Sequence, residues 1–142
     1  MLLPLLRRID PQSHRLAELQ IDHVVIAVSD RARSDHFYRG VLGATIEAGA
    51  EGRVAYRVGP QRLNVHQPGF AISPLAAEPV RPGNSDLCFV WPGSAESALS
   101  HLRSHGVQVI EGPVVRTGAH GVEVSVYCRD PDGSLIELIS YR

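Results

Sequence analysis

The feature that most restricts the fold of this chain is an internal repeat. A β-branched run, Ile21-Asp22-His23-Val24-Val25-Ile26-Ala27-Val28, leads into Ser29-Asp30, either of which can cap a helix. The helical stretch that follows carries Phe37, Val41 and Leu42, and Gly43 is placed to stop it. Ser85-Asp86-Leu87-Cys88-Phe89-Val90-Trp91 begins the series again, with Ser94 as cap, Leu99 and Leu102 on the helix and Gly106 as stop. The interval from His23 to Gly43 equals that from Asp86 to Gly106, so the two halves run in one register. Each half continues into three short strand candidates. These are Ala44 to Ala48, Arg53 to Val58 and Gln61 to His66 in the first, and Val107 to Ile110, Gly121 to Cys128 and Leu135 to Ser140 in the second. The expected fold is α+β, built from two β-α-β-β-β modules, 21–66 and 85–141. A supersecondary unit repeated in this way cannot bury its sheet alone, and the two modules must share a surface.

Residues 1–20 read as an N-terminal extension with a short helix behind Ser13. Residues 67–84 hold Pro68, Pro74, Pro79 and Pro82 and read as a surface linker without a packed element. At 142 residues the chain accommodates one ordinary domain. The net charge is -1, every basic residue is an arginine and no basic cluster occurs, which argues against a nucleic-acid partner. The opening Met-Leu-Leu-Pro-Leu-Leu-Arg-Arg has too short an apolar run and no small-residue cleavage site for a secretory signal, and no run reaches transmembrane length. Cys88 and Cys128 lie in apolar strand-like segments and are expected as buried reduced thiols. The expectation is a cytoplasmic protein with no membrane partner.

Alternation along the strands sorts the polar side chains. His23 shares a face with Val25 and Ala27, His66 with Asn64, and Asp86 with Cys88 and Val90. In the last strand Glu137 is the one ionisable side chain, on a face with Leu135 and Ile139. A carboxylate in so apolar a run needs a partner, because burying it unpaired costs several kcal/mol. Ahead of it, Asp130-Pro131-Asp132-Gly133 is a tight turn in which Pro131 presets φ, Gly133 takes a positive φ and the aspartates bond local backbone donors.

Three stretches carry a family resemblance: Asp-His-Val at the first strand, Phe-Tyr-Arg-Gly-Val-Leu-Gly closing the first helix, and Tyr-Cys-Arg-Asp-Pro-Asp-Gly-Ser-Leu-Ile-Glu at the end. Together they resemble the vicinal oxygen chelate superfamily of glyoxalase I, extradiol dioxygenases, fosfomycin-modifying enzymes and bleomycin-resistance proteins, over Ile21 to Tyr141. The resemblance implies a single glyoxalase-like domain over 21–142, with a cupped eight-stranded mixed sheet and one divalent ion in the cup. The residues it implies as metal ligands are His23, His66, Asp86 and Glu137. At Asp86 many metal-binding members carry histidine, so that position differs from the family pattern.

Imidazole and carboxylate donors suit Fe2+, Mn2+, Zn2+, Ni2+ or Co2+, and two histidines with a carboxylate leave room for a bidentate oxygen substrate. The expected activity is that of a metal-dependent lyase or isomerase of glyoxalase type, or of an extradiol-type dioxygenase, acting on a small molecule with vicinal oxygens. The competing expectation is a metal-free protein that sequesters a ligand in the same cup. Catalytic candidates are Glu137, Tyr127 as a donor to a substrate oxygen, and His120 on a glycine-flanked loop as a general base. Arg129 can meet an anion or pair with a neighbouring aspartate, and His36, His101 and His105 read as helix-surface residues. A homodimer is expected, with the cup built within one chain or between two.

Overall fold

The computed structural model describes residues 19–142. The helix expected behind Ser13 therefore lies outside the described residues. Strand β1 (Val24–Ala27) leads to helix α1 (Arg31–Gly40), then β2 (Thr45–Ala48), a 3-10 turn at Ala50–Gly52, β3 (Val54–Val58) and β4 (Gln61–His66). The second module follows with β5 (Asp86–Trp91), α2 (Ala95–Ser104), β6 (Glu111–Gly118), β7 (Gly121–Arg129) and β8 (Leu135–Ser140). Eight strands are present, divided between two four-stranded sheets in the orders β1-β4-β3-β2 and β5-β8-β7-β6. In each sheet the first strand runs parallel to the last and the other pairings are antiparallel.

Both helices begin where short polar side chains satisfy free amide groups. Asp30 accepts from the Arg33 amide at 3.0 Å and Ser94 from the Ser97 amide at 3.2 Å. Helix α1 buries Ser34, Phe37 and Tyr38, and α2 buries Ala95, Ala98 and Leu102, so each presents one stripe inward. The stripes meet the apolar rows of the sheets. Ile26, Val65 and Val54 stand in one cross-strand row of the first sheet, and Phe89, Leu138 and Val126 in one row of the second. The helices lie on the inner side of both sheets, and the core runs continuously from Tyr38 and Tyr56 in the first module to Leu102, Val126 and Ile136 in the second.

Polar contacts fasten the modules along the same seam. The Tyr38 hydroxyl donates to Asp130 Oδ2 at 2.9 Å in a buried setting, and Arg33 donates to the Pro131 carbonyl at 3.2 Å. The Ser29 amide donates to Asp132 Oδ2 at 3.0 Å, and its hydroxyl donates to Oδ1 of the same carboxylate. His101, expected on the surface, instead donates through Nε2 to the Val41 carbonyl at 2.7 Å and stacks against Trp91 at 4.9 Å. That face of α2 is covered by the other module, which helical periodicity cannot foresee.

Two further expectations are corrected. The strand expected over 107–110 is not formed; β6 begins at Glu111, and its ladder shifts register between Glu111 and Val114. Gly112 and Pro113 disguised it as a turn, although proline is tolerated on an edge strand beside a bulge. Cys88 is exposed on edge strand β5, whereas Cys128 is buried as expected. Among the described residues no helix is long and apolar enough to cross a membrane.

Candidate functional site

Because the helices cover the inner faces, the outward face of each sheet carries the ligand-capable residues. On the first sheet the rows read Val25, Asn64, Ala55, Glu47 and, one step toward the start of β1, Arg62, Arg57, Thr45. His66 stands opposite Ala27. His23 lies immediately before β1 and shares this face by alternation; its Nδ1 is 2.7 Å from Asp22 Oδ2. On the second sheet Cys88, Glu137, Tyr127 and Glu111 form one row and Asp86, Leu135 and Arg129 the next.

Glu137 is the best-supported of these residues. Ser125, fully buried, donates its hydroxyl to Glu137 Oε1 at 2.6 Å. Tyr127 flanks the carboxylate on one side, and its hydroxyl accepts from Arg116 Nε at 3.0 Å, while Arg116 also reaches Glu111 at 2.9 Å. Desolvation raises the Tyr127 phenol despite the bond from Arg116, so it stays protonated and able to donate. Cys88 flanks Glu137 on the other side. Partial desolvation and the neighbouring carboxylate push its thiol up to about 12, so the free side chain stays protonated at neutral pH. Burial, and to a lesser degree the positive charge of Arg53, pull the His66 imidazole below its ordinary value and favour the neutral, metal-competent form.

The register distinguishes the two halves. Glu137 pairs with Cys88, two residues past Asp86, so the Cα atoms of Asp86 and Glu137 are about 8 Å apart. The matching position in the first sheet, paired with Val25 two residues past His23, is Asn64. His66 lies one alternation further along, and its Cα is about 14 Å from that of His23. The counterpart of Glu137 is therefore an amide, and His66 is displaced toward the far end of the strand.

Within one chain the four candidates do not converge. His23 and His66 belong to the first sheet, Asp86 and Glu137 to the second, and among the described residues no three His, Cys, Asp or Glu side chains stand close enough to hold a metal ion. Imidazole and carboxylate are donors that suit a divalent cation, and each sheet carries two of the four candidates. Glu137 and Tyr127 are neighbours. His120 is not near them: it is exposed beyond the start of β7, about 20 Å along that strand from Tyr127, with its ring against Tyr141 at 5.3 Å. Arg129 donates to the Gly133 carbonyl at 3.0 Å. Sequence reasoning passed over Ser125 and Asn64, although alternation with Tyr127 and His66 was the signal for both.

Two cavities adjoin these faces. One, of about 950 Å3, lies between edge strands β1 and β5 and is lined by Ile21, Val24, Leu42, Phe89, Val90 and Trp91. The other, of about 360 Å3, lies over β2, β3 and β4 beside Asn64 and His66. Phe70 and Ile72 of the linker form part of its wall, while 67–84 contributes no helix or strand.

The comparisons agree with this geometry. The profile of the Glyoxalase/Bleomycin resistance protein/Dioxygenase superfamily matches residues 20–138. The chain is 45% identical to the glyoxalase domain-containing protein RDO1 of Mycosarcoma maydis over 92% of its own length and 73% of that protein's. It is 41% identical to virulence protein STM3117 of Salmonella typhimurium, whose crystal structure superposes with a TM-score of 0.81 over 87% of this chain and 97% of that one. A lactoylglutathione lyase from Agrobacterium tumefaciens, 22% identical, shares the fold with a TM-score of 0.65 over 86% of this chain and 93% of that one. With a profile match across both repeats and two relatives above 40% identity, the chain belongs to the glyoxalase, bleomycin resistance protein and dioxygenase superfamily.

Proposed function

We propose that this protein is a metal-dependent enzyme acting on a small molecule with two adjacent oxygens, as a lyase or isomerase of glyoxalase type or as an extradiol-type dioxygenase. The observation that carries the reading is Glu137. It is a half-buried carboxylate on the outward face, oriented by buried Ser125 and paired with Cys88, two residues past Asp86.

Asp86 and Glu137 of one chain hold the ion together with His23 of a second copy, and His66 stands at the wall. The split of donors between two sheets supports a homodimer in which the first sheet of each copy faces the second sheet of the other, giving two equivalent cups by twofold symmetry. A bound divalent ion supplies electrostatic stabilisation to substrate oxygens that gain negative charge. Tyr127, protonated and fixed by Arg116, donates a hydrogen bond to a substrate oxygen, and Ser125 keeps the Glu137 carboxylate aimed outward.

Elemental analysis of protein purified without chelator, followed by calorimetric titration with Mn2+, Fe2+ and Zn2+, tests this reading. About one ion per chain is expected. Protein that takes up none of these ions is instead a ligand-sequestering member of the superfamily.

A further inference from the structure

The smaller cavity has a chemistry of its own. It is walled by Glu47, Arg53, Arg62, Asn64 and His66, with Phe70 and Ile72 supplying an apolar side. Two of its wall residues carry buried polar atoms without hydrogen-bond partners, Arg62 Nε and Asn64 Oδ1. Native proteins leave few such atoms unmatched, and both of these belong to residues in the wall of the cavity. The carboxylate nearest Arg62 belongs to Glu47, whose Oε2 is 3.7 Å from Arg62 Nε, but Glu47 is held by the Arg57 guanidinium. Arg53 has no ion-pair partner among the described residues. Arg53 and Arg62 thus face the cavity with Glu47 as the one carboxylate in its wall, and Glu47 is itself also bound by Arg57. The apolar side is anchored: Gln67 donates to the Gly52 carbonyl at 2.9 Å, and the Phe70 ring lies where a side chain at position 52 would begin, 3.3 Å from a Cβ built there.

We propose that this cavity binds small organic 2-hydroxycarboxylates, with the carboxylate against Arg53 and Arg62, the hydroxyl on the Asn64 amide, and the apolar remainder beside Phe70 and Ile72. Guanidinium groups match a carboxylate in shape and charge. An amide at position 64, where the second module has a carboxylate, can bond a hydroxyl without repelling the neighbouring anion. At about 360 Å3 the space admits a ligand of metabolite size. The proposal names a substrate class for the enzyme above; only the step from ligand to substrate rests on that reading.

The test is calorimetry on the full-length protein in EDTA with three probes: 3-phenyllactate, 3-phenylpropionate and 3-phenyl-1-propanol. Phenyllactate should bind best, loss of the hydroxyl should weaken binding roughly tenfold, and loss of the charge roughly a hundredfold. Arg62→Met and the more exposed Arg53→Met should each weaken phenyllactate tenfold or more, and Asn64→Leu should erase the difference between phenyllactate and phenylpropionate. Equal binding of the neutral alcohol, no binding of any probe, or unchanged affinity in Arg53→Met and in every folded Arg62 variant would overturn the proposal. Carboxylate binding by a protein that takes up no metal would leave this inference standing and remove the enzymatic one. Metal uptake without carboxylate binding would do the reverse.

Discussion

Asn64 and Glu137 occupy matching places in the two modules, so only the second module has a carboxylate there. Glu137→Gln keeps the shape and the bond from Ser125 but removes that charge, so divalent-metal affinity should fall about a hundredfold or more, whereas His66→Gln should cost less than about tenfold. Titration of both variants decides it, and equal losses would mean that the register argument is wrong. His66 also makes a pH prediction. Its value is depressed in the folded state by burial and by Arg53, so the neutral imidazole is the form that folding favours. The stabilisation is fully present above the unfolded value near 6.5 and is lost as pH falls through the depressed folded value. Metal-free wild type should therefore lose more thermal stability between pH 7 and pH 5 than His66→Gln, in parallel melts; matching slopes would reject the assignment. Alternation made the face of each of these side chains legible in the sequence, because the strand period is two. It could not fix position along the strand, since a shift from Asn64 to His66 preserves the face and changes only the pairing with a strand distant in sequence.

At the level of elements, the local signals proved the readable ones. Caps at Asp30 and Ser94, stops at Gly43 and Gly106 and the turn at Asp130 depend on neighbours within a few residues, and each is found. Strand β6 was misread because Gly112-Pro113 is locally a breaker and becomes a strand only through its bulged pairing with β7. The two glycines that bound this hairpin region separate conformational strain from crowding. Gly133 has φ +96 and open space around a Cβ, whereas Gly112 has φ +107 and a Cβ there would sit 2.5 Å from the Ser125 carbonyl oxygen. Gly133→Ala should cost about 1–3 kcal/mol from backbone strain alone. Gly112→Ala should cost more, and, because the displaced backbone belongs to Ser125, should also disturb the support of Glu137. Denaturant melts of the two variants, with metal titration of whichever folds, check both parts; equal destabilisation would show that the bulge yields without moving Ser125.

For the whole molecule, the decisive fact is that one core joins both helices to both sheets, while the candidate residues are split, His23 and His66 with the first sheet and Asp86 and Glu137 on the second. Edge strands β1 and β5 remain unpaired on one side, with Val90 60% exposed and Ile21 76% exposed beside a large apolar cavity, a surface that a second copy would cover. A sequence repeat announces that two modules share a core, but it does not say whether the cups form within a chain or between chains, because both arrangements bury the same apolar rows. Mixing two defective variants separates them. His23→Ala disables the first-sheet half of a site and Glu137→Ala the second-sheet half, and neither homodimer should retain tightly bound metal. If each cup takes one sheet from either copy, a mixed dimer contains one cup with both lesions and one with none. Co-refolding equal amounts should then restore about one quarter of the wild-type metal content, since half of the dimers are mixed and each has one intact cup. Cups closed within a chain would give no recovery at any mixing ratio, and elemental analysis of the dimer fraction from size-exclusion chromatography distinguishes the two results.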